Sequence, residues 1–282
     1  MAEQSSLETY TKLSYGASWS ITRAYSTSFS LGIRLFSKEL RPHIAAIYGM
    51  VRVADEIVDS WHDIDQKTEL IAFENQCYEA IRLNYSSSLI LHSFAQTANQ
   101  FHIMADLIKP FFESMTMDLA KRSYDRADLD RYVYGSAEVV GLMCLMVFVA
   151  GNAYEFDRLK PGARALGSVF QKVNFLRDIG ADTEDLGRAY FPNIDASNFS
   201  DTQKLVIVAE IRVEFELARV AIKTLPVSAR RGVALAWTYY SELLRKIDTT
   251  PADELAKRRI RVSDGRKVWL LVRSFIPFWS II

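Results

Sequence analysis

Little in this sequence suits a cross-link, a zinc centre or a sheet. Two cysteines in 282 residues, Cys77 and Cys144, stand far apart in apolar, helix-like surroundings, which excludes a disulfide-stapled scaffold and leads us to expect a reducing, cytoplasmic setting. The four histidines, His43, His62, His92 and His102, share no metal-ligand spacing with one another or with the cysteines. Neither sign of charge is in excess: 34 basic against 34 acidic residues leave no global field to gather nucleic acid or repel an anionic ligand, so any anion has to be held locally. Strand-like alternation, internal repeats and low-complexity tracts are missing, as is an apolar run of signal-peptide type at the N-terminus.

What remains is apolar and helical. Hydrophobic residues make up 49% of the chain, enough to bury a large core, and one domain over 1–282 is expected. Apolar spacing predicts helices over 16–27, 41–61, 66–83, 88–105, 110–121, 127–150, 162–182, 202–224, 227–247 and 251–261. Pro42, Pro110, Pro161, Pro192, Pro226 and Pro251 read as segment edges. The stretch Thr183 to Phe199, with Gly187 and Pro192, predicts the longest irregular connection, placed to close over a site. The last residues, 268–282, are rich in Val, Trp, Leu, Ile and Phe and carry Arg273 but no acid. Fully helical, they would reach about 22 Å, short of a bilayer core of roughly 30 Å. They read either as a tail docked on the core or as an interfacial anchor, with Trp269 and Trp279 at headgroup level and the protein peripheral on a membrane.

Two polar stripes stand out. In 41–61, Ile44, Ile47, Val51, Ala54 and Val58 form an apolar face, while Tyr48, Arg52, Asp55 and Asp59 follow at steps of four, three and four along one side. Two Asp residues one turn apart repel by about a few tenths of a kcal/mol, so helix stability alone gives no reason for the pair. A divalent cation does. In 162–182 the pattern recurs: Gln171, Asn174, Asp178 and Asp182 repeat at steps of three, four and four, beside Arg177, with Val169, Phe170, Val173 and Leu176 for packing. Mg²⁺ takes hard oxygen ligands and is usually held by one or two carboxylates plus substrate phosphates. Two such stripes, with Arg52 and Arg177, therefore suit a reaction in which a diphosphate departs.

Three blocks of sequence carry a resemblance. Tyr25-Ser-Thr-Ser-Phe29 precedes Ala46-Ile-Tyr-Gly-Met-Val-Arg-Val-Ala-Asp-Glu-Ile-Val-Asp59; Tyr132-Val-Tyr-Gly-Ser-Ala-Glu-Val-Val-Gly141 follows; Gln171-Lys-Val-Asn-Phe-Leu-Arg-Asp-Ile-Gly-Ala-Asp182 ends with Gly187-Arg-Ala-Tyr-Phe-Pro192. Together these resemble the squalene/phytoene synthase family of head-to-head prenyl transferases over almost the whole chain, and bacterial carotenoid-pathway members most of all.

The resemblance implies an all-α isoprenoid-synthase bundle around a central cavity. It implies Mg²⁺, or Mn²⁺ in its place, held by Asp55, Asp59, Asn174, Asp178 and Asp182. Tyr48, Arg52, Gln171, Asn174 and Arg177 would position diphosphate and metal-bound water, and Ser26, Ser28 and Phe29 would contact the other diphosphate and its chain. Tyr240 and Arg259 fit C-terminal diphosphate contacts across a small insertion, and Tyr132 matches a tyrosine that stabilises cations and handles the proton. Glu138 departs from the pattern, standing where many relatives have glycine; it is expected either to reach the metal cluster or to pair with a base such as Lys172. The implied chemistry joins two allylic diphosphates through a cyclopropylcarbinyl diphosphate, which then ionises and rearranges. Proton loss gives phytoene; hydride from NADPH gives squalene. The chain has no GxGxxG following a strand, NADPH is not expected, and two C20 diphosphates are the favoured substrates. C15 condensation to a presqualene, squalene or dehydrosqualene product is the alternative, and a non-catalytic assembly protein is the reading from another class.

Overall fold

The computed structural model describes residues 6–60, 63–120, 123–184, 189–192, 194, 197–263, 265 and 269, the side chains of Ser28 and of residues 181–184 excepted. Among these, the order is α1 (Ser6–Tyr25), α2 (Thr27–Ile33), α3 (Arg41–Asp59), α4 (Gln66–Leu83), α5 (Leu89–Phe101) and α6 (Ala105–Ala120). Then come α7 (Arg126–Val133), a π-turn (Tyr134–Glu138), α8 (Val139–Phe148), α9 (Ala153–Glu184), α10 (Asp201–Thr224), α11 (Val227–Thr249) and α12 (Ala252–Leu255). The extended backbone pairing is one parallel bridge, Ser123 to Ala189, among the described residues.

Helix starts follow capping chemistry. Ser26, Asp65, Ser88 and Asp125 each accept a backbone N–H three residues on, and Ser200 with Gln203 completes a capping box for α10. Two apolar clusters form the interior. The first gathers α3, α4, α5, α6 and α8 around Ile47, Met50, Phe94, Phe111 and Leu142; the second gathers α7, α9, α10 and α11 around Val173, Leu176, Val208, Ile211 and Leu243. Trp237 packs against both.

The structure departs from the sequence expectation in several places, among them 251–261, where helix is confined to α12 (Ala252–Leu255). α1 begins ten residues before the expected start, because its buried face is made of small hydroxyl residues: Ser14, Ser18 and Thr22 are all at 0% exposure, and Ser18 Oγ lies 2.8 Å from Ser93 Oγ of α5. α2 was not expected at all. Pro110 and Pro161 lie inside α6 and α9 rather than at edges. The run expected as one helix over 127–150 is split by the π-turn, which lets α6 come close: a Cβ on Gly135 would sit 2.2 Å from the carbonyl oxygen of Pro110. This run, Arg126–Phe148, is long and apolar enough to cross a membrane, yet half of its most apolar window is buried by protein, the pattern of a core helix. The C-terminal stretch lies outside the described residues except for Trp269, 44% exposed.

Candidate active site

On α3 the apolar face formed by Ile44, Ile47, Ala54 and Val58 is buried, which leaves Tyr48, Arg52, Asp55 and Asp59 half-buried on the other flank. Tyr48 stacks on Phe29 of α2 with ring centroids 4.9 Å apart and shares a hydrogen bond with Ser26. Ser26 Oγ in turn accepts the N–H of Phe29 at 3.2 Å, so the α2 cap fixes both aromatic partners. The side chain of Ser28 lies outside the described residues. Arg52 lies 4.4 Å over the Tyr25 ring, pairs with Glu56, and reaches Asp55 Oδ2 at 3.8 Å. Its buried Nε has no hydrogen-bond partner among the described residues.

Burial pushes the Asp55 carboxyl up to about 7; the charges of Asp59 and Asp118 add to this and Arg52 opposes it. Crowded carboxylates beside an unsatisfied guanidinium nitrogen fit a site that takes both a cation and an oxyanion.

On α9, Val169, Val173 and Leu176 are buried, and Gln171, Asn174, Arg177 and Asp178 are half-buried one turn after another. Two guanidinium groups meet at Asp178: Arg177 Nη2 lies 2.5 Å from Oδ2 and Arg259 Nε 2.7 Å from Oδ1. Asp182 lies in the last turn of α9, with its side chain outside the described residues. Tyr240 of α11 packs on the second stripe. Its hydroxyl donates to Asn174 Oδ1 at 3.2 Å, its ring stacks on Phe170 at 4.0 Å, and it is close enough to Tyr48 to act on that phenol's ionisation. Among the described residues no three His, Cys, Asp or Glu side chains cluster as a complete metal cage. The described side chains instead offer Asp55 and Asp59 on the first stripe and Asp178 on the second, oxygen donors of the kind Mg²⁺ shares with substrate phosphates.

Tyr132 is 4% exposed and donates to Asp118 Oδ2 at 2.7 Å; burial first, then Asp118, pushes its phenol well above the ordinary value. Asp118 was missed from sequence. Its signal is a lone acid on the otherwise apolar inner face of α6, between Met115 and Leu119.

Glu138 goes neither to the acidic stripes nor to Lys172. It pairs with Arg164 Nε at 2.6 Å, while Lys172 Nζ pairs with Glu214 at 2.6 Å. Arg164 of α9, whose guanidinium also lies 5.1 Å over the Tyr134 ring, reaches Glu138 first, and Glu214 of α10 takes Lys172.

The squalene/phytoene synthase family profile matches residues 22–266. The chain belongs to that family. Phytoene synthase 1, chloroplastic, of Solanum lycopersicum is 27% identical over 276 residues, covering 90% of this chain and 66% of its own. A bifunctional lycopene cyclase/phytoene synthase of Blakeslea trispora is 24% identical over 290 residues, covering 90% of this chain and 48% of its own, so the chain spans about half to two thirds of the length of these curated relatives. A crystal structure of a dehydrosqualene synthase in complex with ligand superposes with TM-score 0.79 at 21% identity, covering 96% of this chain and 98% of that one. The fold is thus the all-α isoprenoid-synthase type found in this prenyltransferase family.

Proposed function

We propose that this protein condenses two molecules of geranylgeranyl diphosphate head to head into phytoene, with Mg²⁺ and without a reductant. The observation that carries the reading is the pair of acidic stripes with basic groups held against them: Arg52 lies beside Asp55 on α3, and Arg177 and Arg259 meet at Asp178 on α9. Asp55, Asp59, Asn174, Asp178 and Asp182 are the residues that would hold Mg²⁺. Bound there, Mg²⁺ would compensate the charge of a departing diphosphate.

The remaining work falls to this chain's own groups. Arg52, with its unsatisfied Nε, and Arg177 and Arg259 supply donors for diphosphate oxygens. The stacked faces of Phe29 and Tyr48 and the ring of Tyr132 favour a passing carbocation by about 0.5–2 kcal/mol each. A dry apolar cavity around the reacting chains would exclude water that traps it.

The test is purified enzyme with Mg²⁺, C20 or C15 diphosphate, and NADPH present or omitted, followed by product identification. Phytoene from the C20 substrate without NADPH is expected. Turnover of the C15 substrate alone, or a cyclopropyl intermediate that waits for NADPH, overturns the phytoene reading and leaves head-to-head condensation standing. No product from either substrate overturns both.

A further inference from the structure

Asp118 is 5% exposed near the end of α6, on a face otherwise buried through Ile108, Phe111, Phe112 and Met115. A carboxylate in such a place is strongly unfavourable unless donors surround it. Here they come from three separate stretches of chain. Tyr132 of α7 donates to Oδ2 at 2.7 Å; Tyr190, beyond α9, and Tyr124, between α6 and α7, donate to Oδ1 at 3.2 and 3.4 Å.

The rings pack as a group, with centroids 5.1–5.3 Å apart. Tyr190 also lies flat on Phe175 at 4.0 Å, next to Asn174 of the second stripe, and Phe191 meets the same ring edge-on at 6.0 Å. Immediately before the two outer tyrosines, Ser123 and Ala189 form the parallel bridge. The segment that follows the second acidic stripe is therefore fastened to α6 and α7 through one carboxylate. The same carboxylate acts electrostatically on Asp55 of the first stripe.

We propose that Asp118 is a positioning residue of the condensation site: it aims Tyr132 and holds the 189–191 segment shut against α6 and α7. This rests on the function proposed above. The chemistry gives the arrangement a purpose beyond packing. Because the Tyr132 hydroxyl donates its hydrogen bond to Asp118, its lone pairs and ring face remain as electron-rich groups suited to a neighbouring cation. A segment closed by Tyr190 over Phe175 keeps water from the same place.

The experiment compares Asp118→Asn, Tyr190→Phe and the double variant with wild type, reading kcat and KM with Mg²⁺ and C20 diphosphate, amide hydrogen exchange at 189–191, and thermal melts. Asp118→Asn is expected to lower kcat about 100-fold with KM within about threefold, since a misaimed group costs rate more than binding. The double variant should lose no more than Asp118→Asn alone, and exchange at 189–191 should speed up in every variant. Unchanged kcat in folded Asp118→Asn, or fully additive losses with unchanged exchange, overturns the proposal. If Asp118→Asn does not fold, Tyr132→Phe and Tyr190→Phe, which keep the ring volume, form the same cycle and are decided by the same two results. Wild type that turns over no isoprenoid diphosphate sinks the function reading, whereas the exchange data still decide whether Asp118 holds the segment.

Discussion

Asp55 and Asp178 occupy equivalent places in the two stripes but keep opposite company. Asp55 is crowded by Asp59 and Asp118, with Arg52 as its counterweight, whereas Asp178 sits between Arg177 and Arg259. Replacing Asp55 by Asn removes a repelled charge, so folding should not suffer; replacing Asp178 leaves two guanidinium groups without their carboxylate, of which Arg259, 48% exposed, is compensated in part by water. Either Asn variant is expected to keep a cooperative melt and to lose roughly 100-fold or more in turnover at limiting Mg²⁺. Full turnover by a folded variant would count against the metal-assisted reading. The stripes were legible because four-residue spacing is a local property of one helix. Asp118 was not, since its meaning depends on Tyr124 and Tyr190, six and 72 positions away. Glu138 was misplaced for a related reason: its partner Arg164 comes from α9, 26 positions away.

At the scale of elements, the seam between α1, α3 and α5 carries buried polar groups, Ser14, Ser18, Ser93 and Thr97 among them. His43 of α3 hydrogen-bonds the Tyr15 hydroxyl at 3.2 Å and Thr97 Oγ1 at 3.0 Å, and meets the Phe101 ring edge-on at 4.7 Å. None of these partners carries a negative charge near neutrality, and burial pushes the imidazole down from 6.5 to about 4. The unfolded chain therefore binds this proton more readily than the folded one between those values. The contribution to stability is complete above about pH 6.5 and is lost as pH falls toward 4. Burial lowers His92 in the same direction. Denaturant midpoints measured at pH 7.5, 6 and 5 should fall less steeply for His43→Asn than for wild type; equal slopes would refute the assignment. Sequence periodicity located α3 and α4 closely but placed the start of α1 late, because Ser14, Ser18 and Thr22 look like solvent-facing residues until α5 supplies Ser93. Pro161 misled in the same direction: α9 begins at Ala153 and continues through the proline, packed against α10.

At the scale of the whole molecule, the apolar C-terminal stretch and the water-insoluble product of the proposed reaction point toward a lipid surface. We expect truncation at Lys267 to weaken co-sedimentation with liposomes, and an unchanged bound fraction after truncation would remove the tail from that role. The sequence by itself determined that the chain is helical, that two of its helices carry carboxylate pairs with basic and amide neighbours, and that its three blocks match one family. Each of these is written in spacings within a single segment or in contiguous words. Tertiary structure alone decided that Tyr240 of α11 reaches Asn174 of the second stripe, that Arg259 shares Asp178 with Arg177, that Glu138 turns to Arg164, and that three tyrosines share Asp118. Such pairings depend on how helices far apart in the chain pack against one another, a choice made by the whole apolar core and by close approaches such as Gly135 against Pro110, not by any local period.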